Sequence, residues 1–226
     1  NNMEVYNIHI QDPKVQINNF NFIVVPEHDR LEGENVIKSK GAIHYITDEE
    51  IQGAKALALS KNVLTVILGG PTKHYSFSLE ELKQLFHKIE LLFLHKVEEV
   101  KIVSSRRTPE LVVSFLQDRY KDNARVVVDS SLSRKNYIEA LAQAKKIIVT
   151  SDSISMLSEA ATTGVPIYLA KLKSYKNDHR FDSFLKSFKK LNIIKDLETN
   201  EDSWTYDKLY ETKRIAELLK NKITLS

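Results

Sequence analysis

The chain has 226 residues, and its 33 Lys and Arg stand against 30 Asp and Glu, so a formal charge of +3 gives no argument for a nucleic-acid partner. It holds no cysteine, which excludes disulfides, thiolate chemistry and cysteine-bound zinc and suits a reducing, cytoplasmic setting. Hydrophobic residues make up 42%, yet no run of about 18 apolar residues is present to cross a bilayer, and the opening NNMEVYNIHI lacks the pattern of an export signal.

Before residue 61 the pattern is thin. Residues 22–25 read as a strand that stops at Pro26-Glu27-His28-Asp29, and residues 42–46 as a second strand ending at Thr47-Asp48. Two or three strands in about 60 residues fall short of a full second α/β domain. Residues 1–60 are therefore expected to form a small, incomplete α/β unit, and Asn1 in place of Met points to a tag remnant or a longer natural protein. His28 and Asp29 make a candidate catalytic pair, because an imidazole titrating near neutrality can deprotonate a hydroxyl while a carboxylate orients it. A structural histidine in a polar turn is the competing reading. His9, His28 and His44 match no zinc spacing, so no metal site is expected.

From residue 61 strands and helices alternate. Residues 63–68 are continuously apolar, as in a strand buried on both faces of a parallel sheet, and run into Gly69-Gly70-Pro71-Thr72. Those glycines let backbone N–H groups approach a ligand closely, unless they serve only a tight turn. Leu82, Leu85, Phe86, Ile89, Leu92 and Phe93 recur at helical spacing. Residues 100–103 form the next strand, ending at Ser104-Ser105-Arg106-Arg107-Thr108-Pro109, where Pro109 suits the first helical position after a Thr108 cap. Arg106 or Arg107 placed there could clamp a diphosphate in bidentate fashion, a solvated loop pair being the alternative. A strand at residues 125–128 and a helix at residues 137–144 follow, with Asp129 read as a turn former.

Residues 149–169, VTSDSISMLSEAATTGVPIYL, carry the most information. After an apolar strand, Thr150, Ser151, Asp152, Ser153 and Ser155 cluster where a helix begins. Such oxygens accept first-turn N–H groups, and the N–H groups left over, at the positive end of the dipole, can hold a phosphate. Gly164 is placed as the left-handed cap that ends the helix. Beyond it lie a strand at 165–169, a basic loop at 171–177, a helix at 180–191 and an amphipathic helix at 206–222. The basic loop and Arg180 are candidate anion contacts. The alternation implies right-handed crossovers and a doubly wound parallel sheet, with residues 61–205 as a Rossmann-like nucleotide-binding domain. Residues 206–226 are expected to pack back toward the amino-terminal part. Ligands of such sheets bind outside the carboxyl ends of the strands.

In order along the chain, FIVVPEHD (22–29), NVIKSKGAIHYIT (35–47), VILGGPTKHY (66–75), SSRRTP (104–109), the 149–169 block and WTYDKLYETKRIAELL (204–219) resemble the mitochondrial-fission ELM (elongated mitochondria) family. Residues 149–169 also resemble the nucleotide-binding half of GT-B glycosyltransferases. That resemblance implies a nucleoside diphosphate sugar as substrate, with its diphosphate over Ser151, Ser153 and Ser155 and beside Arg106 or Arg107. It further implies Glu159 on the ribose hydroxyls, Gly69 and Gly70 beside the sugar phosphate, and His28 with Asp29 at the acceptor. No cofactor or metal is implied, since arginines and a helix dipole can meet the charge on the departing diphosphate. Family members carry a longer amino-terminal region, so the acceptor side is expected to be incomplete. Two alternatives stand beside the transferase: a nucleotide-sugar epimerase of the same architecture, and a non-enzymatic protein that recruits a division partner through Trp204, Tyr206, Tyr210 and the last helix. Apolar surface on residues 22–25 and 42–46 would suit a homodimer, and peripheral membrane contact is compatible with the family.

Overall fold

Two parallel sheets organise the chain, as seen in a computed structural model that describes residues 5–176, 178–199 and 201–224. The smaller sheet has the order β1 (Ile8–Ile10), β2 (Phe22–Pro26), β3 (Val36–Ser39). The larger contains β4 (Val63–Leu68), β5 (Glu99–Ser104), β6 (Val126–Asp129), β7 (Ala144–Thr150), β8 (Ile167–Ala170) and β9 (Ile194–Asp196) in the order β6-β5-β4-β7-β8-β9. The chain thus winds outward from β4 in one direction, crosses back to β7 and winds outward in the other. Reversal of this kind opens a crevice between the carboxyl ends of the two strands at the switch, here β4 and β7. The register puts Ile67 opposite Val149 and Leu68 opposite Ser104, so the strand ends lie level.

Every residue of β4 is buried. Its one polar side chain, Thr65, donates to the Ala140 carbonyl at 2.7 Å, which is how a hydroxyl is kept in a core without leaving a polar group unpaired. The helices are α1 (Asp48–Ala56), α2 (Leu79–Ile89), α3 (Glu110–Tyr120), α4 (Arg134–Gln143), α5 (Ile154–Ala160), α6 (His179–Lys190) and α7 (Glu211–Thr224). Capping boxes open α1 (Thr47, Glu50) and α2 (Ser78, Glu81). Helix α7 closes the smaller sheet, packing Ile215 against Val24 and Ile37.

Four local expectations are corrected. Residues 42–46 are not a strand but an extended crossing between the sheets, and the strand lies upstream, at β3. Its amides pair with side chains rather than with a ladder: Ala42 N–H with Ser158 Oγ (2.9 Å), His44 N–H with Thr212 Oγ1 (3.1 Å) and Ile46 N–H with His44 Nδ1 (3.3 Å). Thr108 does not cap α3. Its hydroxyl bonds the Gly69 carbonyl at 2.6 Å, and Pro109 takes the cap position just outside the helix. Gly164 has a φ of +75° but lies beyond the end of α5, whose last carbonyls are met by the hydroxyls of Thr162 and Thr163 at 2.7 Å each. The final helix begins at Glu211, because the Leu209 N–H is drawn instead to the Ala161 carbonyl at 3.1 Å. Asn177, the last residue of the expected basic loop, and residues 225–226 lie outside the described residues.

Candidate functional site

Beside the switch between β4 and β7 the polar groups are turned onto one another. Gly69 N–H donates to Thr150 Oγ1 at 2.9 Å, and Gly70 N–H to Asp152 Oδ2 at 3.0 Å. The Asp152 side chain is fully buried and also accepts from the Thr150 hydroxyl (2.7 Å) and from Arg107 Nη2 (2.7 Å). Arg107 Nη1 reaches the Gly70 carbonyl at 3.0 Å. The glycines are needed for these contacts: a Cβ on Gly69 would lie 1.9 Å from Asp152 Oδ2, and one on Gly70 would lie 2.0 Å from the Arg107 carbonyl oxygen. Ser151 is buried as well, its Oγ accepting from Leu172 N–H at 2.9 Å. Of the residues proposed from sequence, Gly69, Gly70, Arg107 and Ser151 are therefore engaged in holding the loops to each other. Their N–H groups and guanidinium face protein, which is why they were legible as special without their partner being legible.

A cleft of about 430 Å³ opens next to this knot, over the carboxyl ends of β4, β5 and β6. That volume falls in the range of small-molecule sites, about 300–1,000 Å³. Ile67, Val103 and Met156 contribute apolar side chains, while Ser104, Ser105, Arg106 and Glu159 contribute polar ones. Arg106 and Glu159 are thus brought together. Glu159, on α5, accepts from the Tyr137 hydroxyl of α4 through Oε2 at 2.7 Å, which leaves Oε1 for another donor. Burial raises the Glu159 carboxyl above the usual carboxylate range, against the opposing pull of the Tyr137 bond. Burial, then the neighbouring carboxylate, pushes the Tyr137 phenol well up, so it stays a donor. Ser153 caps α5 through Met156 N–H at 3.4 Å, and Ser155 lies exposed on the first turn.

His28 and Asp29 form a second group, at the end of β2 against α6. The His28 ring is buried edge-on to Phe184, centroids 5.5 Å apart, with Nε2 3.6 Å from Asp29 Oδ1. Burial pulls the imidazole below its ordinary value, opposed by the Asp29 charge. Asp29 is itself taken by Arg180, whose Nε lies 2.9 Å from Oδ1. Neither His28 nor Asp29 lines the cleft that holds Arg106 and Glu159. Trp204 is buried against Tyr168, with centroids 5.0 Å apart, and so faces inward, whereas Tyr210 is partly exposed and bonds Asp48 at 2.5 Å. Among the described residues no group of three or more His, Asp or Glu is placed to hold a metal ion, and no helix is long and apolar enough to cross a membrane. Sequence reading missed Tyr137, Tyr45, Leu132 and Arg134 as cleft residues. They come from a helix start, an assumed strand and a loop, and only the sheet topology brings them together.

The chain is 26% identical to the mitochondrial fission protein ELM1 of Arabidopsis thaliana, over 97% of this chain and 58% of that one. It is 31% identical to the uncharacterized protein RP120 of Rickettsia prowazekii (strain Madrid E), over 86% of this chain and 57% of that one. The chain therefore spans somewhat more than half the length of these curated relatives. A crystal structure of UDP-N-acetylglucosamine 2-epimerase superposes with a TM-score of 0.50 at 13% identity, covering 92% of this chain and 59% of that one. This likeness shows the fold, a Rossmann-like parallel α/β architecture of the GT-B kind. The model of the mitochondrial fission ELM1 family matches residues 1–223, and the chain belongs to that family.

Proposed function

We propose that this chain binds a nucleoside diphosphate sugar in the cleft over β4, β5 and β6, as the donor-binding part of a GT-B-type glycosyltransferase. One observation carries the reading: Arg106 and a half-buried Glu159, held by Tyr137, share a single cleft at the carboxyl ends of parallel strands. The free Oε1 of Glu159 accepts from the ribose hydroxyls. The Arg106 guanidinium pairs with the diphosphate and, as the bond to the sugar breaks, meets the charge that develops on the departing nucleoside diphosphate. Ser155, exposed on the first turn of α5, does not line this cleft and has no part in the reading. In this reading His28 and Asp29 serve the junction of β2 with α6.

The test is a thermal-shift panel of UDP, GDP, CDP, TDP and ADP with their common sugar conjugates, followed by titration calorimetry. A ligand that binds only the folded chain must raise its melting temperature by mass action. The expected result is one selective, concentration-dependent stabilisation that weakens at least tenfold in Glu159→Ala and in Arg106→Ala. No shift with any of them at millimolar concentration would overturn the reading. Product analysis with the stabilising sugar conjugate then separates transfer to an acceptor from epimerisation of the sugar.

A further inference from the structure

The rim of the cleft is not wholly polar. Two of its residues, Tyr45 and Leu132, are 70% and 55% exposed, although both have large apolar side chains. Neither is loose. The backbone on each side of Tyr45 is fixed by the His44 and Ile46 amide bonds to Thr212 and His44, and Thr47 begins the capping box of α1. One face of the Tyr45 ring is covered by the Arg134 guanidinium, 4.9 Å from its centroid. Arg134 is fixed in turn by Glu50, through contacts of 2.6 and 2.9 Å. The ring is therefore backed by Arg134 on one face, while the residue as a whole stays 70% exposed, which leaves ring surface for a partner. Leu132 holds a φ of +55°, in the left-handed region that a leucine adopts only at a cost. Strain of that kind persists where the surroundings impose it and is concentrated at functional sites.

A rigid aromatic ring with exposed surface, on the rim of a cleft whose polar groups suit a ribose and a diphosphate, fits a planar heterocycle. We propose that Tyr45 and Leu132 hold the nucleobase: the base stacks on the face of Tyr45 away from Arg134, and the Leu132 side chain makes an apolar contact beside it. This rests on the reading that a nucleoside diphosphate occupies the cleft. It adds that the base contributes a large part of the affinity and that the residue most responsible comes from the crossing between the two sheets. Tyr45 would then tie ligand binding to the relative placement of those sheets.

A purely structural Tyr45, one that only covers the Arg134–Glu50 pair, would change stability without regard to which part of a ligand is present. The experiment therefore compares ligands with and without a base on the full chain. Affinities of wild type, Tyr45→Ala, Tyr45→Phe and Leu132→Ala are measured by calorimetry for UDP, CDP, TDP, GDP and ADP, with ribose 5-phosphate and inorganic pyrophosphate as base-free probes. Base–aromatic stacking predicts that Tyr45→Ala weakens the best-bound nucleoside diphosphate by about tenfold or more and leaves the base-free probes within about twofold. Tyr45→Phe keeps the affinity, and Leu132→Ala loses less than Tyr45→Ala in the same base-dependent way. Equal weakening of all probes by Tyr45→Ala, or no weakening, overturns the proposal while leaving the cleft reading standing. Wild-type binding of pyrophosphate as tight as that of any nucleoside diphosphate overturns it too. If none of the five binds wild type, both readings fall. Should Tyr45→Ala not fold, Leu132→Ala carries the same comparison.

Discussion

Replacing Gly69 by alanine adds one methyl group whose destination is fixed: the new Cβ lies 1.9 Å from Asp152 Oδ2 and 2.4 Å from its Cγ. The backbone at Gly69 is not left-handed, so the penalty comes from this contact alone. The carboxylate has no cheap way to retreat. It holds Gly70 N–H at 3.0 Å and the Thr150 hydroxyl at 2.7 Å in a fully buried position, so moving it leaves buried donors unmet. Forced overpacking costs about 1–3 kcal/mol, and a weakened buried hydrogen bond about 1 kcal/mol more. The Arg107 bond adds little, because that side chain is 40% exposed and screened by solvent. Gly69→Ala should therefore destabilise by about 3 kcal/mol, and Asp152→Ala by a similar amount by orphaning the two donors. In the double variant the methyl group enters the space the carboxylate has left, so the combined loss should fall short of the sum by about 2 kcal/mol. Urea unfolding of all four proteins, with the slope monitored for loss of two-state behaviour, measures this directly. Losses that add to within about 0.5 kcal/mol would refute the steric argument.

Three further outcomes follow from the same geometry. Burial raises the Glu159 carboxyl, so between its unfolded value near 4.3 and its native value the folded chain binds more protons, and stability falls as pH rises through that window. Glu159→Gln, which keeps an acceptor for Tyr137, should be more stable than wild type at neutral pH and lose that advantage below about pH 4; a constant advantage across the range would contradict the assignment. Burial lowers the His28 imidazole, so its contribution is full above the unfolded value near 6.5 and is lost as pH falls toward the native one. His28→Gln should accordingly show a shallower loss of melting temperature between about pH 6.5 and 5.5 than wild type, and equal slopes would count against it. At Leu132, with φ of +55°, glycine removes a left-handed cost of about 1–2 kcal/mol but adds unfolded-state freedom, so Leu132→Gly should be near neutral. The β-branched Leu132→Val should be less stable than Leu132→Gly by more than about 1 kcal/mol in the same unfolding assay, and parity would show that the backbone there is not strained.

The parallel sheet was legible because its strands are self-announcing: β4 is apolar at every position but Thr65, and β7 and β8 flank a recognisable hydroxyl-rich turn. Residues 42–46 were misread for a physical reason. They are rich in apolar residues as a strand would be, yet their amide partners include Ser158 on α5 and Thr212 on α7, more than a hundred residues away, and no local pattern records that. The candidate site divides in the same way. Arg106 is singled out by its place at a strand carboxyl end and Glu159 by the GT-B resemblance, and the structure brings the two to one cleft, whereas Arg107, one residue on, turns into the protein. Asp152 stood in the middle of the hydroxyl cluster and was read as one more cap. What sets it apart is that, besides its neighbour Thr150, its partners lie on two other loops, those after β4 and β5, which only the register of β4 against β5 and β7 makes close.

That partner set bears on where a ligand can lie. In an open sheet the switch between β4 and β7 is the expected place for an anion, because backbone N–H groups converge there. Here an anion is already in place: the Asp152 carboxylate accepts from Gly70 N–H and is charge-balanced by Arg107. A phosphate arriving at the same amide would meet a buried negative charge and find no free donor. The open space is displaced toward β5 and β6, where Arg106 is the unengaged member of the arginine pair and Glu159 keeps one oxygen free. Division of labour between adjacent arginines follows: Arg107 fixes the loop so that Arg106 can be presented from it. Under the proposed function, Arg107→Ala should therefore weaken nucleoside diphosphate binding without touching the ligand, by letting the 104–108 loop relax. Arg107→Ala should lower the melting temperature as well, not through the small net worth of the ion pair but because it leaves the fully buried Asp152 carboxylate without its partner and the Gly70 carbonyl without its donor, while Arg106→Ala should weaken binding at unchanged melting temperature. Calorimetry and thermal unfolding on the two variants separate these roles, and a pair of variants indistinguishable in both measurements would show that the loop is not held in the way its hydrogen bonds indicate.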